Sequence, residues 1–179
     1  MRPFRVAALS LSLLCAVPAA NASSTHKWDT LSTALAVGVP ALAGVETLNQ
    51  NDWTGMGQLA ITEAATFASV MVLKSRIHEE RPDGSGNDSF PSGHTAVTFA
   101  AARYLDKRYG GDHAWVMYGL SGLTGVARVE AKKHYWKDVV AGGLLGFAVG
   151  DLSTRYRYAT ISIAPTQGGF ALLWRQPLE

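Results

Sequence analysis

Three short segments of this 179-residue chain carry side chains that could do chemistry. KSRIHEERP places Lys74 and Arg81 seven positions apart, ahead of Pro82. On a helix that is nearly two turns, so both cations would face one way. SFPSGHTAVTFA sets Ser92, Gly93 and His94 at the mouth of an apolar run. ARVEAKKHYWKD adds Arg128, His134 and Asp138. His134 and Asp138 are four apart, so on a helix the carboxylate can reach the imidazole. Each segment alone has an ordinary reading: a solvated helix end, a satisfied buried histidine, a weak surface pair.

Together they suit phosphoryl transfer. A departing phosphoryl group spreads its negative charge over its equatorial oxygens, and catalysis consists largely of positioning and charge stabilisation. Lys74, Arg81 and Arg128 supply three cations. Arginine's planar fork can hold two phosphate oxygens, while lysine acts as a point charge. Backbone N–H groups at Ser92 and Gly93, opening a helix after Pro91, form an anion site. The sequence carries no Asp/Glu/His cluster with metal-ligand spacing, so no metal and no cofactor is expected. The nucleophile then comes from the protein. A neutral imidazole whose Nδ1–H is bonded to a carboxylate presents Nε2 for in-line attack. His134 with Asp138 fits, and the second histidine, His94, would be the acid. The residues alone also allow the two histidines the opposite roles. His26, His78 and His113 are assigned no catalysis.

The order Lys74-x6-Arg81-Pro82, Pro91-Ser92-Gly93-His94, Arg128-x5-His134-x3-Asp138 resembles the phosphatidic acid phosphatase type 2 / vanadium haloperoxidase superfamily. The motifs span Lys74–Asp138, and the helix layout extends the likeness to about Leu31–Gly150. The resemblance implies a phosphohistidine intermediate on His134, with His94 protonating the leaving oxygen and later activating water. Ala127 departs from the family pattern, which usually has serine before the third-motif arginine. The gap between the first two motifs is short, which leaves little room for a lid.

These residues need a scaffold. Apolar stretches run Leu31–Val45, Gly55–Leu73, Gly93–Ala102, Ala114–Ala127 and Val139–Gly150, separated by polar punctuation. The pattern predicts an all-α bundle of about five core helices. Pro82 is expected to stop the second helix near Arg81. Abundant Ala, Gly, Ser and Thr favour close helix packing in lipid, and the bundle reads as membrane-embedded, with a soluble periplasmic bundle as the alternative. YATISIAPTQGGFALLWRQ alternates around a break and predicts a short C-terminal β-hairpin. The expected division is therefore 1–22, 23–153 and 154–179.

Residues 1–22 read as a secretory signal: Arg2 and Arg5, an apolar run, then Ala20-Asn21-Ala22. Cleavage would remove Cys15, the only cysteine, and leave 14 basic against 14 acidic side chains. No basic field remains for nucleic acid. The expected setting is the inner membrane of a bacterial envelope with the site facing the periplasm. The expected partner is a phosphorylated lipid or a small phosphate ester. Two rival functions fit the same cradle, a vanadium-dependent haloperoxidase and a phosphate- or headgroup-binding module without turnover.

Overall fold

The computed structural model describes residues 24–111, 113–155, 160–166 and 169–175. Five helices follow one another: α1 Ser24–Asn49, α2 Trp53–Lys74, α3 Gly93–Tyr109, α4 His113–Glu130 and α5 Trp136–Arg155. Strands β1 Thr160–Thr166 and β2 Gly169–Arg175 pair antiparallel, from Thr160 opposite Arg175 to Thr166 opposite Gly169. The expected bundle and hairpin are thus present. The signal segment expected at 1–22 lies outside the described residues.

α3 is the central helix and touches each of the other four. Its Ala101, Ala102, Tyr104 and Leu105 pack with Val39 and Ala43 of α1, Leu59 of α2 and Met117 of α4. The helices alternate in direction. Asp29 and Thr33, early in α1, reach Arg128 late in α4 and His94 at the start of α3. The candidate site therefore gathers at one end of the bundle. At the other end, the short α1–α2 turn is pinned to α3. Asp52 accepts from Arg108 Nε at 2.6 Å and from Tyr109 at 3.0 Å, and caps α2 through the Gly55 N–H at 2.8 Å.

α3 and α5 run parallel at backbone contact. A Cβ on Gly142 would overlap the Ser92 carbonyl oxygen, and one on Gly146 the Ala96 carbonyl oxygen. Gly150 meets Ala100 in the same way. Glycine at every fourth position of α5 thus faces Ser92 just before α3, then Ala96 and Ala100 on it, also at every fourth position. Small residues at this spacing let helix backbones approach closely, as in membrane helix pairs. That contact fixes the start of α3 against the start of α5, where the second and third motifs lie.

α1 and α2 are each long and apolar enough to cross a bilayer, about 39 and 33 Å at ~1.5 Å per residue. They turn large apolar side chains outward: Val37 and Leu42 on α1, Ile61, Phe67 and Val72 on α2. Such an apolar exterior is what a helix shows to lipid.

α2 ends earlier than expected. It stops at Lys74, with the Ser75 N–H donating to the Met71 carbonyl and the Arg76 and Ile77 N–H groups to the Leu73 carbonyl. After Leu73 the chain has no apolar face to bury, so the helix ends well ahead of Pro82. Lys74 and Arg81 therefore do not share a helical face.

Candidate active site

Residues 75–92 form a loop that folds back over the end of α2. Its base is a bridge between Glu79 and Asp88, with the Ser89 N–H donating to the Glu79 carbonyl at 2.9 Å. Asp88 brings the two first-motif cations together. Its carboxylate accepts from Arg81 Nε and Nη2, each at 2.8 Å, and lies 4.0 Å from Lys74 Nζ. Lys74 also donates to the Asp88 carbonyl. The Arg81 fork holds the Asp88 carboxyl below its ordinary range, against the opposing effect of burial. A second pair of contacts ties this loop to residues 131–137: Lys133 with Asp83 at 2.6 Å and Lys137 with Glu79 at 2.7 Å.

His134 stands before α5 rather than on it, because α5 begins at Trp136. The helical spacing expected for His134 and Asp138 therefore does not apply. Nδ1 of His134 lies 2.7 Å from the Ser89 carbonyl oxygen and 3.8 Å from Asp138 Oδ2. Since a carbonyl only accepts, Nδ1 carries the proton and Nε2 keeps its lone pair. The direct partner is Ser89, not Asp138 as the sequence suggested. Asp138 acts one step back: Oδ2 accepts from Ser89 Oγ at 2.5 Å and from the Tyr135 N–H at 2.9 Å. The second of these bonds caps the start of α5.

Ser89 and Asp138 are fully buried, and His134 is 2% exposed. Burial pushes the imidazole pKa down to about 3, helped by the charges of Arg128 and Lys74 and opposed by the Ser89 carbonyl. With its pKa there, His134 is neutral near pH 7, the state in which an imidazole can act as a nucleophile.

At the start of α3 the arrangement again differs in detail from the sequence reading. The Ser92 N–H donates to the Asp138 carbonyl at 3.0 Å, and its hydroxyl pairs with Thr95 Oγ1 at 2.9 Å. Ser92 therefore offers no backbone N–H to an anion. The first helical bond runs from Ala96 to the Ser92 carbonyl, and the Ser92 side chain makes no cap bond. The N–H groups of Gly93, His94 and Thr95 are the ones at the open first turn.

Arg128, 3% exposed, donates to Asp29 at 2.5 Å and to Ser32 at 3.2 Å, both on α1. Among the described residues its Nε is buried with no hydrogen-bond partner, as is Asp138 Oδ1. His94 Nε2 lies 3.5 Å from Thr33 Oγ1, also on α1. His94 and His134 both feel the charges of Arg128, Arg81 and Lys74. All eight residues singled out from the sequence thus gather at one bundle end. Ser89, Asp88 and Asp29 were not foreseen. Ser89 and Asp88 sit beside the second motif, where their polarity was the available signal. Asp29 is 99 positions from Arg128, and no local pattern marks it.

Chemically, the cluster offers a buried neutral imidazole with a free Nε2, a second histidine nearby, and three cations. The cations rest on carboxylates, Lys74 and Arg81 on Asp88 and Arg128 on Asp29. A tetrahedral dianion could replace both carboxylates, since forked guanidinium groups bind phosphate and carboxylate alike.

Comparison with known proteins gives a consistent set. The PAP2 superfamily model matches residues 69–162, more than half of the chain. A lipid A 1-phosphatase of Porphyromonas gingivalis is 39% identical over 75 residues, covering 40% of this chain and 17% of that protein. A lipid A 4'-phosphatase of Helicobacter pylori is 30% identical over 131 residues, covering 66% of each. The chain thus spans less than two thirds of the length of either relative. Among solved structures, Aquifex aeolicus LpxE superposes with a TM-score of 0.55 at 21% identity, over 75% of this chain and 96% of that one.

Proposed function

The chain belongs to the PAP2 superfamily, and from that membership we propose that it is a membrane phosphatase hydrolysing a phosphomonoester or pyrophosphate carried by a lipid. The observation that carries the mechanism is the 2.7 Å contact from His134 Nδ1 to the Ser89 carbonyl. It leaves Nε2 unprotonated among three cations.

The phosphate group displaces Asp88 and Asp29 and settles between Lys74, Arg81, Arg128 and the first turn of α3. Nε2 of His134 attacks phosphorus as the bond to the leaving oxygen breaks, and His94 donates a proton to that oxygen. The Ser89 carbonyl and, behind it, Asp138 stabilise the imidazolium charge that develops. Water then attacks the phosphohistidine with His94 taking its proton, and inorganic phosphate leaves with His134 restored. The whole sequence is served by positioning and fixed charge.

A lipid substrate is supported by the apolar exterior of α1 and α2 and by the relatives named for lipid A. Lipid A is therefore the first substrate to assay. The site faces the periplasm in this reading. Residues 1–22 act as a secretory signal, Ser24 begins outside, and the alternation of helices keeps the cradle on that side. Residues 23–153 form the phosphatase domain and 154–179 the tail. Phosphate release from a panel of lipid and soluble phosphates, run on membrane and soluble fractions, tests the proposal. Activity should partition with membranes and favour lipid phosphates. Equal turnover of soluble esters by a soluble fraction would refute it.

A further inference from the structure

At the bundle end opposite the cradle, a cavity of about 560 Å³ opens between α3 and α5. Arg103, Lys107, Phe147, Asp151, Leu152 and Arg155 line it. Asp151 lies about 20 Å along α5 from Asp138, at ~1.5 Å per residue.

Among the described residues one carboxylate there serves three cations. Asp151 accepts from Arg103 Nε at 3.0 Å and from Arg155 Nε at 2.8 Å, and Lys107 Nζ stands 3.4 Å away. Arg103 also donates to Asp106 at 2.7 Å. Three cations against two carboxylates leave a positive charge. Compensating the helix dipole takes cations in the last turn. Arg108 already fills that place on α3, so Lys107 beside it is not needed there. Arg103 lies a turn further in.

The cations border an apolar surface. The Arg103 guanidinium carbon sits 4.4 Å from the centre of the Phe147 ring. From that ring α5 presents Leu144 and Val140 outward, spaced so that all three fall on one helical face. A cationic rim at the end of an apolar stripe is complementary to an anionic amphiphile.

We propose that this groove binds the headgroup of an anionic phospholipid. Lys107 and Arg155 hold the phosphate, and an acyl chain lies along Phe147, Leu144 and Val140. Basic pockets between membrane helices recognise anionic headgroups in this way. The proposal rests on the bundle spanning a bilayer, and it is independent of the phosphatase chemistry.

Lys107 and Arg155 are suitable probes, because their side chains are 40% and 65% exposed and replacing them leaves the core intact. The full chain is purified in mild detergent and offered phosphatidylglycerol or phosphatidylcholine, and bound lipid is counted by native mass spectrometry. The wild type should retain phosphatidylglycerol in preference. The Lys107→Gln/Arg155→Gln double variant should lose that retention by about tenfold, with phosphate release unchanged. Equal retention of both lipids by the wild type, or undiminished phosphatidylglycerol on the double variant, overturns the proposal. So does displacement of the lipid by glycerol phosphate, which would mark a site for free anions. Retention is read without turnover, so an inactive protein that still holds phosphatidylglycerol upholds this site while removing the phosphatase reading.

Discussion

The imidazole of His134 is oriented by the backbone of Ser89: Nδ1 to carbonyl oxygen is 2.7 Å, and the Asp138 carboxylate stands behind at 3.8 Å. A carbonyl cannot be lost to a side-chain substitution, so the tautomer of His134 should survive changes that would scramble a histidine–carboxylate dyad.

Asp138→Asn is the first consequence. Where a carboxylate alone fixes the tautomer, its replacement by an amide costs about 10⁴ in kcat. Here the Ser89 carbonyl still accepts from Nδ1, so steady-state assays should show a loss of about 10- to 100-fold in kcat with little change in KM. A loss near that of His134→Ala would mean that Asp138 is the direct partner after all.

Ser89→Ala keeps the carbonyl but removes the hydroxyl bonded to Asp138 Oδ2. Asp138 Oδ1 already lacks a hydrogen-bond partner among the described residues, so the buried carboxylate becomes still less satisfied. The expected cost is about 1–3 kcal/mol of stability, read as a fall in Tm. Ser89→Thr, which restores a hydroxyl, should recover part of it.

Acid dependence follows from the neutral imidazole. The pKa of His134 is about 3 in the fold and about 6.5 in the unfolded chain. Between those values the unfolded state binds the extra proton, so this group's contribution to stability falls as pH drops from about 6.5 toward 3. Activity should run differently, because His134, the proposed nucleophile, stays neutral throughout that window. The acid limb of kcat/KM should not carry an ordinary histidine pKa assignable to His134. Histidine NMR of the free enzyme, showing His134 protonated near pH 6, would contradict this.

Asp88→Asn tests whether the carboxylate occupies the place of the substrate. Removing its charge leaves the Arg81 fork without its anionic partner. KM should fall several-fold and inhibition by inorganic phosphate should strengthen. An unchanged KM would show that Asp88 and phosphate do not compete.

Gly146→Val tests the scaffold. Any Cβ at that position overlaps the Ala96 carbonyl oxygen, so α3 must shift away from α5 and carry the Ser92–His94 turn with it. Overpacking of this kind costs about 1–3 kcal/mol, and activity should fall more steeply than Tm.

The bundle was legible because hydrophobicity and polar punctuation mark helices directly, and five apolar runs became five helices. The eight candidate residues could be singled out because the motifs fix their order along the chain, and the fold brings them to one bundle end. The sequence misjudged what depends on contacts between distant segments. Helical spacing was assumed from Lys74 to Arg81 and from His134 to Asp138, yet Arg81 lies in a loop and His134 precedes its helix. In both cases proximity is made by a third residue, Asp88 or Ser89. The glycines at 142, 146 and 150 were visible as small residues. Their spacing against Ser92, Ala96 and Ala100 acquires meaning only once α3 and α5 are known to run side by side.

Trapping the phosphoenzyme tests the central claim most directly. Purified protein is mixed with a ³²P-labelled lipid phosphate and quenched in alkali during turnover, and the label is mapped by peptide mass spectrometry. The account predicts acid-labile, base-stable phosphate on His134, more of it in His94→Ala, whose hydrolysis step is slowed, and none in His134→Ala, which should also be inactive. Turnover by His134→Ala near the wild-type rate, or label on another residue, would contradict it.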